Sequence, residues 1–406
     1  MTLRSGINFR RVFVLSGLAA LVLIYCVLWL QMISSPTDRT GSDFIVFYTA
    51  GRIAHTNGAA YVYEPGLQQD VQETEVGFAL VPGQVLLYNH VPYLIPILTL
   101  LISGNYVTSF IRWAILLLIL FVVSIGILAG QLRRAGWERA EIWVAAAGML
   151  TFFPFFVSLM NGQDTAFTFF GLSVWLVGLL TGRDWLAGLG LALTSIRPQL
   201  TVMLAIPFLF RKQKVFGWFC VGAATLGLIS LLFVGLEGVR GFLDLLRVSA
   251  SGEWYGLKEP VMVNLVGLLW RIVPGLGGGI IHITGWVVYG LALVGLCILW
   301  ARSRRLDERS FGLAVTVGLF VAPHLHYHDL TLLLIPVVSV ILLVVRSGFV
   351  RRSNASLIPL AISLILLFAN LIPILHYNMP YFIMVLIILF LWIPEKIFQK
   401  TVMPKS

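Results

Sequence analysis

Charge is scarce in this chain. Only 11% of its 406 residues are Asp, Glu, Lys or Arg, against about a quarter in soluble domains, and 59% are hydrophobic. That balance excludes a soluble globular protein. Cysteine is almost missing too. Cys26, Cys220 and Cys297 all fall inside apolar runs, so neither a disulfide framework nor a CxxC metal site is indicated. There is no Walker loop, no GxGxxG after a strand, no HExxH and no GxSxG, and the first polar segment carries no DxD pair. Nothing here points to ATP or to a soluble nucleotide donor.

Long apolar runs take the place of these signals. Those at about 12–33, 107–128, 142–159, 167–180, 215–236, 280–300, 311–322, 330–345, 356–375 and 381–393 approach or exceed the ~18 residues that let a helix cross a bilayer. The chain reads as an all-α polytopic membrane protein, one integral membrane domain over 1–406. The run at 12–33 is too long, and too poor in small residues at its end, for a cleavable signal peptide. It reads as an uncleaved first span.

A formal charge of +10 suggests nucleic acid until the charges are placed. Most Lys and Arg cluster in short connections, around 4–11, 133–139, 183, 211–214, 302–309, 346–352 and 396–405, and most acids lie on the other side. The positive-inside rule then gives one consistent topology with both termini cytoplasmic. The basic balance records orientation and contact with anionic lipid, and nucleic acid is not an expected partner. Two long outer loops, about 34–83 and 237–279, follow from that topology. Function is expected on the outer face of the plasma (inner) membrane.

Two segments do not fit as simple spans. The apolar stretch 185–210 has basic residues at both ends and Pro198 in its middle, as a re-entrant hairpin of two short helices requires. Segment 85–103, punctuated by Pro92 and Pro96, reads as partial or interfacial. About 10–13 membrane helices are expected.

Five sets of residues carry possible chemistry. Asp43 precedes apolar residues Phe44, Phe47, Tyr48 and Gly51 at i, i+3, i+4 and i+7, the pattern of an amphipathic helix lying on the membrane surface. Its carboxylate either caps that helix or faces a cavity as a base, and the two are compatible. In "APHLHYHDL", His324, His326 and His328 precede Asp329. They form a polar cavity wall, cap a turn or, with alternation against it, bind a metal.

In "MNGQDTAFTFF", Gln163 and Asp164 make an ordinary polar turn or bind sugar hydroxyls. Arg197 is the one basic residue deep in an apolar stretch, and a buried guanidinium wants a carboxylate or a phosphate. Tyr88, Tyr93, Trp254 and Tyr255 form an interfacial aromatic belt or stack on a sugar or shelter a lipid chain. His90 and Lys258 are further possible phosphate contacts.

The order of these motifs ("SDFIVFYTAGR", "YNHVPYLIP", "NGQ", "AGLGLALTSIRPQ", "APHLHYH") resembles glycosyltransferase family 87, the polyprenol-phosphate-mannose-dependent alpha-mannosyltransferase-like proteins of the GT-C superfamily, over about 12–336. The resemblance implies a GT-C-type helical bundle and a polyprenyl-phosphate sugar donor, with mannose as the sugar. It implies a lipid or glycan acceptor on the outer face and no cofactor or metal. It implies inversion with Asp43 as general base, and it puts Arg197 and the late histidines His324, His326 and His328 near the donor phosphate. The reading "YNHVP", where relatives have adjacent prolines, and Asp164 after "NGQ" bear on which sugar and acceptor are used. A secondary transporter of a small anionic or sugar-like solute is the rival. It too uses broken helices with intramembrane charge, but it predicts paired interruptions in two halves, and Arg197-Pro198 has no counterpart after Phe311.

Overall fold

The computed structural model describes residues 9–35, 43–251, 254, 259–372 and 378–392. Every regular element among them is helical. In chain order the first are α1 (Phe9–Ser34), α2 (Phe44–Thr56), α3 (Pro65–Val76), α4 (Ile95–Leu101), α5 (Tyr106–Arg134), α6 (Arg139–Leu150), α7 (Phe153–Asn161), α8 (Thr165–Leu180) and α9 (Asp184–Leu193). There follow α10 (Pro198–Ala205), α11 (Gln213–Ser251), α12 (Leu265–Ile272), α13 (Gly278–Arg302), α14 (Glu308–Val321), α15 (Leu334–Arg346), α16 (Ile358–Leu371) and α17 (Met379–Trp392).

Six helices are long and apolar enough to cross a membrane, and α6 with α7, bent by 41°, makes a seventh. The expected ten to thirteen is reached only by counting the shorter apolar helices, such as α8, α9 and α10, which do not span by length alone. The spans differ in what surrounds them. Over the 18-residue apolar stretch of each, only 11% of α1, 17% of 213–249 and 22% of α13 is buried, whereas 83% of Tyr327–Arg346 is. The first three present leucine, isoleucine and valine outward, as lipid-facing helices do. The last is the central post of the molecule.

Local sequence accounts for the ends of these helices. Asn105, Asn264 and Asp307 accept from backbone N–H groups of their own first turns, at 2.8, 2.9 and 3.1 Å, as N-caps do. Glu308 then pairs with both terminal nitrogens of Arg346, at 2.6 and 3.0 Å, tying α14 to α15. Between α8 and α9 the helices touch backbone to backbone. A Cβ on Gly178 would lie 2.4 Å from Ala187 N, and one on Gly190 2.5 Å from Trp175 N. Small residues at a contact are how membrane helices pack closely.

That contact makes α9 antiparallel to α8 and brings its end back to the start of α8. After Arg197 the chain reverses through α10, and Lys212 Nζ reaches Asp184 Oδ1 at 3.2 Å. Segment 184–212 therefore leaves and returns at one end of the molecule, with Arg197 at the far tip. This is the hairpin that Pro198 and its flanking charges predict.

The described parts of the two long loops are, by contrast, largely helical. Segment 34–83 holds α2 and α3, and 237–279 holds the part of α11 beyond a break at Gly235 (φ 67°, ψ −179°) together with α12. Nor does α2 lie on the surface. Phe44, Ile45, Val46, Phe47, Tyr48, Thr49, Ala50, Gly51 and Ile53 are all buried, against α3 and α4 among others. Beyond the four residues of the expected stripe, Ile45, Val46, Ala50 and Ile53 are apolar too, and a helix hydrophobic all round belongs in a core.

Two buried glutamines of α3 hold the extended segment that follows. Gln68 donates to Val62 O (2.9 Å) and accepts from Tyr88 N (2.6 Å). Gln72 donates to Leu86 O (2.7 Å) and accepts from Leu86 N (3.1 Å). They satisfy backbone groups that no regular element serves, and so fix the approach to His90.

Candidate active site

A tight turn sets the first part of the site. Helix α7 ends at Gly162, whose φ of 70° is open to glycine and strained for other residues. A Cβ there would lie 2.6 Å from Phe44 Cβ, so the turn sits directly against the start of α2. Trp113 pins it from the other side, its indole N–H donating to Gly162 O at 2.7 Å. The next side chain, Gln163, consequently meets Asp43. Gln163 Nε2 donates to Asp43 Oδ2 at 2.6 Å.

Asp43 is the N-terminal flank of α2, but its side chain makes no capping bond to that helix. It is half-buried, and it lies close enough to His326 for its charge to act on that ring. The capping bond is absent, and the carboxylate instead meets Gln163 and adjoins His326.

One residue further, Asp164 is fully buried. Arg197 Nη2 lies 2.8 Å from its Oδ1 and His90 Nδ1 2.9 Å from its Oδ2. The same Nη2 donates to Asp329 Oδ1 at 3.3 Å, which also accepts from Thr165 Oγ1 at 3.2 Å. The other oxygen of Asp329 accepts from His326 N at 3.2 Å and lies 3.6 Å from His328 Nε2. One guanidinium thus ties the tip of the hairpin to the starts of α8 and of the central post. Burial opposes the charge of Asp164, but Arg197 and then His90 outweigh it and hold the carboxyl below its ordinary range.

His324 and His326 stack edge-on at 4.6 Å, and His326 and His328 are 5.9 Å apart. Burial first, and the neighbouring imidazole second, push His326 down to about 4 and His324 to about 3. His324 and His326 are therefore neutral rings at physiological pH, because a charge buried this deeply is unfavourable.

Unfolded, both rings take up protons near 6.5, whereas folded they resist until about 4 and 3. Below about pH 6.5 the unfolded chain binds more protons, so stability falls as pH falls. Thermal unfolding of the detergent-purified protein should drop by several degrees from about pH 7.5 to 5, and His326→Gln should flatten that slope.

Several expectations are corrected by their surroundings. Asp164 does not line an open wall for sugar hydroxyls, because its carboxylate is enclosed by Arg197 and His90. Tyr88 is no interfacial belt residue. It is fully buried, packed beside Phe47, Tyr63 and His90. Tyr93 is paired with Ser195, hydroxyl to hydroxyl at 3.0 Å. Trp254 is half-buried, and Tyr255 and Lys258 lie outside the described residues. Gln163 proves to be a partner of Asp43. Among the described residues no three of His, Cys, Asp and Glu are grouped to hold a metal.

The double pairing of Arg197 with Asp164 and Asp329 was not assigned from the sequence. Its signal was there: a guanidinium deep in apolar sequence, and two carboxylates at the edges of apolar runs.

An all-helical, polytopic membrane protein with acid, amide, imidazole and guanidinium groups converging at one end of its core is built as a membrane-embedded enzyme. The profile of glycosyltransferase family 87 matches residues 91–323, more than half of the chain, and the chain belongs to that family. It is a membrane glycosyltransferase. The matched stretch contains Gln163, Asp164 and Arg197; it begins after Asp43 and stops one residue before His324. No match is found among curated proteins.

Proposed function

We propose that the protein transfers a sugar, mannose by resemblance, from a polyprenyl-phosphate donor to a hydroxyl of a lipid or glycan acceptor. The acceptor oxygen attacks the anomeric carbon, the bond from that carbon to the phosphate oxygen breaks, and polyprenyl phosphate leaves from the opposite face. The anomeric centre inverts, and Asp43 takes the acceptor's proton. One observation carries this reading. The half-buried carboxylate of Asp43 is held by Gln163 (2.6 Å) instead of by its own helix, and it adjoins His326, whose backbone contacts the Arg197 partner Asp329.

The donor phosphate belongs beside Arg197, His324, His326 and His328. Arg197 Nε and His324 Nδ1 are buried without a hydrogen-bond partner among the described residues. Unpartnered buried polar atoms are costly, and phosphate oxygens would satisfy an N–H at each. Hydrogen bonds aimed at the leaving phosphate act where negative charge grows, and no metal is invoked. The arginine-rich ends of α13 and α15 lie at the other end of the molecule. Under the positive-inside rule this arrangement supports a reading with Asp43 on the outer side of the membrane and both termini in the cytoplasm.

The test is transfer itself. Purified protein given radiolabelled polyprenyl-phosphate mannose and candidate lipid acceptors should yield labelled acceptor. Labelled solute accumulating inside proteoliposomes, with no transfer, would favour the transporter instead.

A further inference from the structure

The end of α8 away from Asp164 carries a polar cavity. Sixteen residues of helix, roughly 24 Å at 1.5 Å per residue, separate the two. The cavity measures ≈ 500 Å³, and Arg211, Lys212, Arg304 and Arg305 line it over a floor that includes Leu180 and Leu306. Its lining contains no carboxylate. Of the acids next to it in sequence, Asp184 pairs with Lys212 at 3.2 Å. Asp307 accepts from Ser310, and Glu308 is taken by Arg346. Among the described residues, three guanidinium groups are therefore left without an acid in their own pocket.

Orientation by positive charge explains basic residues in a connection, but it does not require a concavity between two connections 93 residues apart. This one is held open. Arg211 Nη2 donates to Arg304 O at 2.6 Å, fixing the spacing of the two walls. Lys212 is the one non-glycine among the described residues with a positive φ, 60°, and such strain persists where the surroundings over-determine it. Beside the cations, Leu209, Phe210 and Leu299 are exposed, an apolar surface continuous with the lipid-facing helices.

We propose that this cavity binds the phosphate headgroup of an anionic phospholipid. The phosphate sits among Arg211, Arg304 and Arg305, whose planar donors match its oxygens, and the acyl chains run over Leu209, Phe210 and Leu299. Both halves of the ligand are needed: the pocket supplies the charge complement, and the wall supplies the apolar one. The site is independent of the transfer reaction proposed above.

The test uses full-length protein, delipidated in neutral detergent and offered phosphatidylglycerol or phosphatidylcholine of the same chains. Native mass spectrometry should show one phosphatidylglycerol retained and phosphatidylcholine not. Arg304→Gln with Arg305→Gln should weaken retention at least ten-fold, and Arg305→Gln alone should weaken it less. Arg133→Gln with Arg139→Gln removes the same charge from exposed positions elsewhere and should leave retention unchanged. Equal loss in that control pair, or equal retention of phosphatidylcholine, overturns the proposal. So does glycerol phosphate binding as tightly as the lipid, which would make the occupant a soluble phosphate compound.

Discussion

Asp43→Asn should lower sugar transfer by about 10²–10⁴-fold, the range general-base assistance contributes, while leaving the protein folded in its membrane. The substitution is nearly isosteric. Asn keeps an oxygen for Gln163 Nε2, so the 2.6 Å contact and the packing of Phe44 against the Gly162 turn survive. Only the charge and the ability to take a proton go. The thermal midpoint should therefore move by no more than a degree or two, and KM for the donor should change far less than kcat. Turnover of the purified Asn variant at the parent rate would remove Asp43 from the mechanism. Gln163→Ala is the graded companion: it leaves the base but frees it to rotate, and should give a smaller loss than the loss of the charge itself.

The largest effect on folding should come from Arg197→Met. The substitution keeps an apolar stem and deletes the one group that compensates both Asp164 and Asp329, which are 0% and 2% exposed in their side chains. Breaking a buried ion pair from one side costs about 3–5 kcal/mol, because the abandoned charge stays buried. Here two acids are abandoned. Adding Asp329→Asn to Arg197→Met should recover part of the loss, so that the double variant is less damaged than the two single losses summed. Arg197→Lys restores the charge but replaces a fork by a point, and should be intermediate. The measurements are detergent thermal unfolding and yield of monodisperse protein. An Arg197→Met variant as stable as the parent would show that this cluster does not hold the hairpin in place.

How much of this was legible in the residues varied with how local the signal was. The hairpin at 184–212 could be read because its cause is local: Pro198 interrupts an apolar stretch and Arg183, Arg211, Lys212 and Lys214 close both ends. The demand of Arg197 for an anion was legible for the same reason, since a guanidinium in hydrocarbon cannot stand alone. Which acids answer it was not, because Asp164 and Asp329 come from helices 33 and 132 residues away. The burial of α2 was hidden by the reading itself. Matching Phe44, Phe47, Tyr48 and Gly51 to one stripe passed over Ile45, Val46 and Ala50 on the other sides. The glutamines of α3 gave no warning, for their partners are backbone groups of an irregular segment with no sequence pattern. The neutral histidines followed from depth, and depth is a property of the assembled bundle.

The hairpin tip has a consequence for how the polypeptide is made. Asp164 is already synthesised when Arg197 leaves the ribosome, but Asp329 follows only after 132 further residues. Until then the tip holds a single counter-ion and the central post does not yet exist. A nascent chain stopped before residue 329 should therefore leave this re-entrant segment unfinished and open to quality-control proteolysis, whereas one extended through residue 346 supplies both the second acid and the helix that carries it.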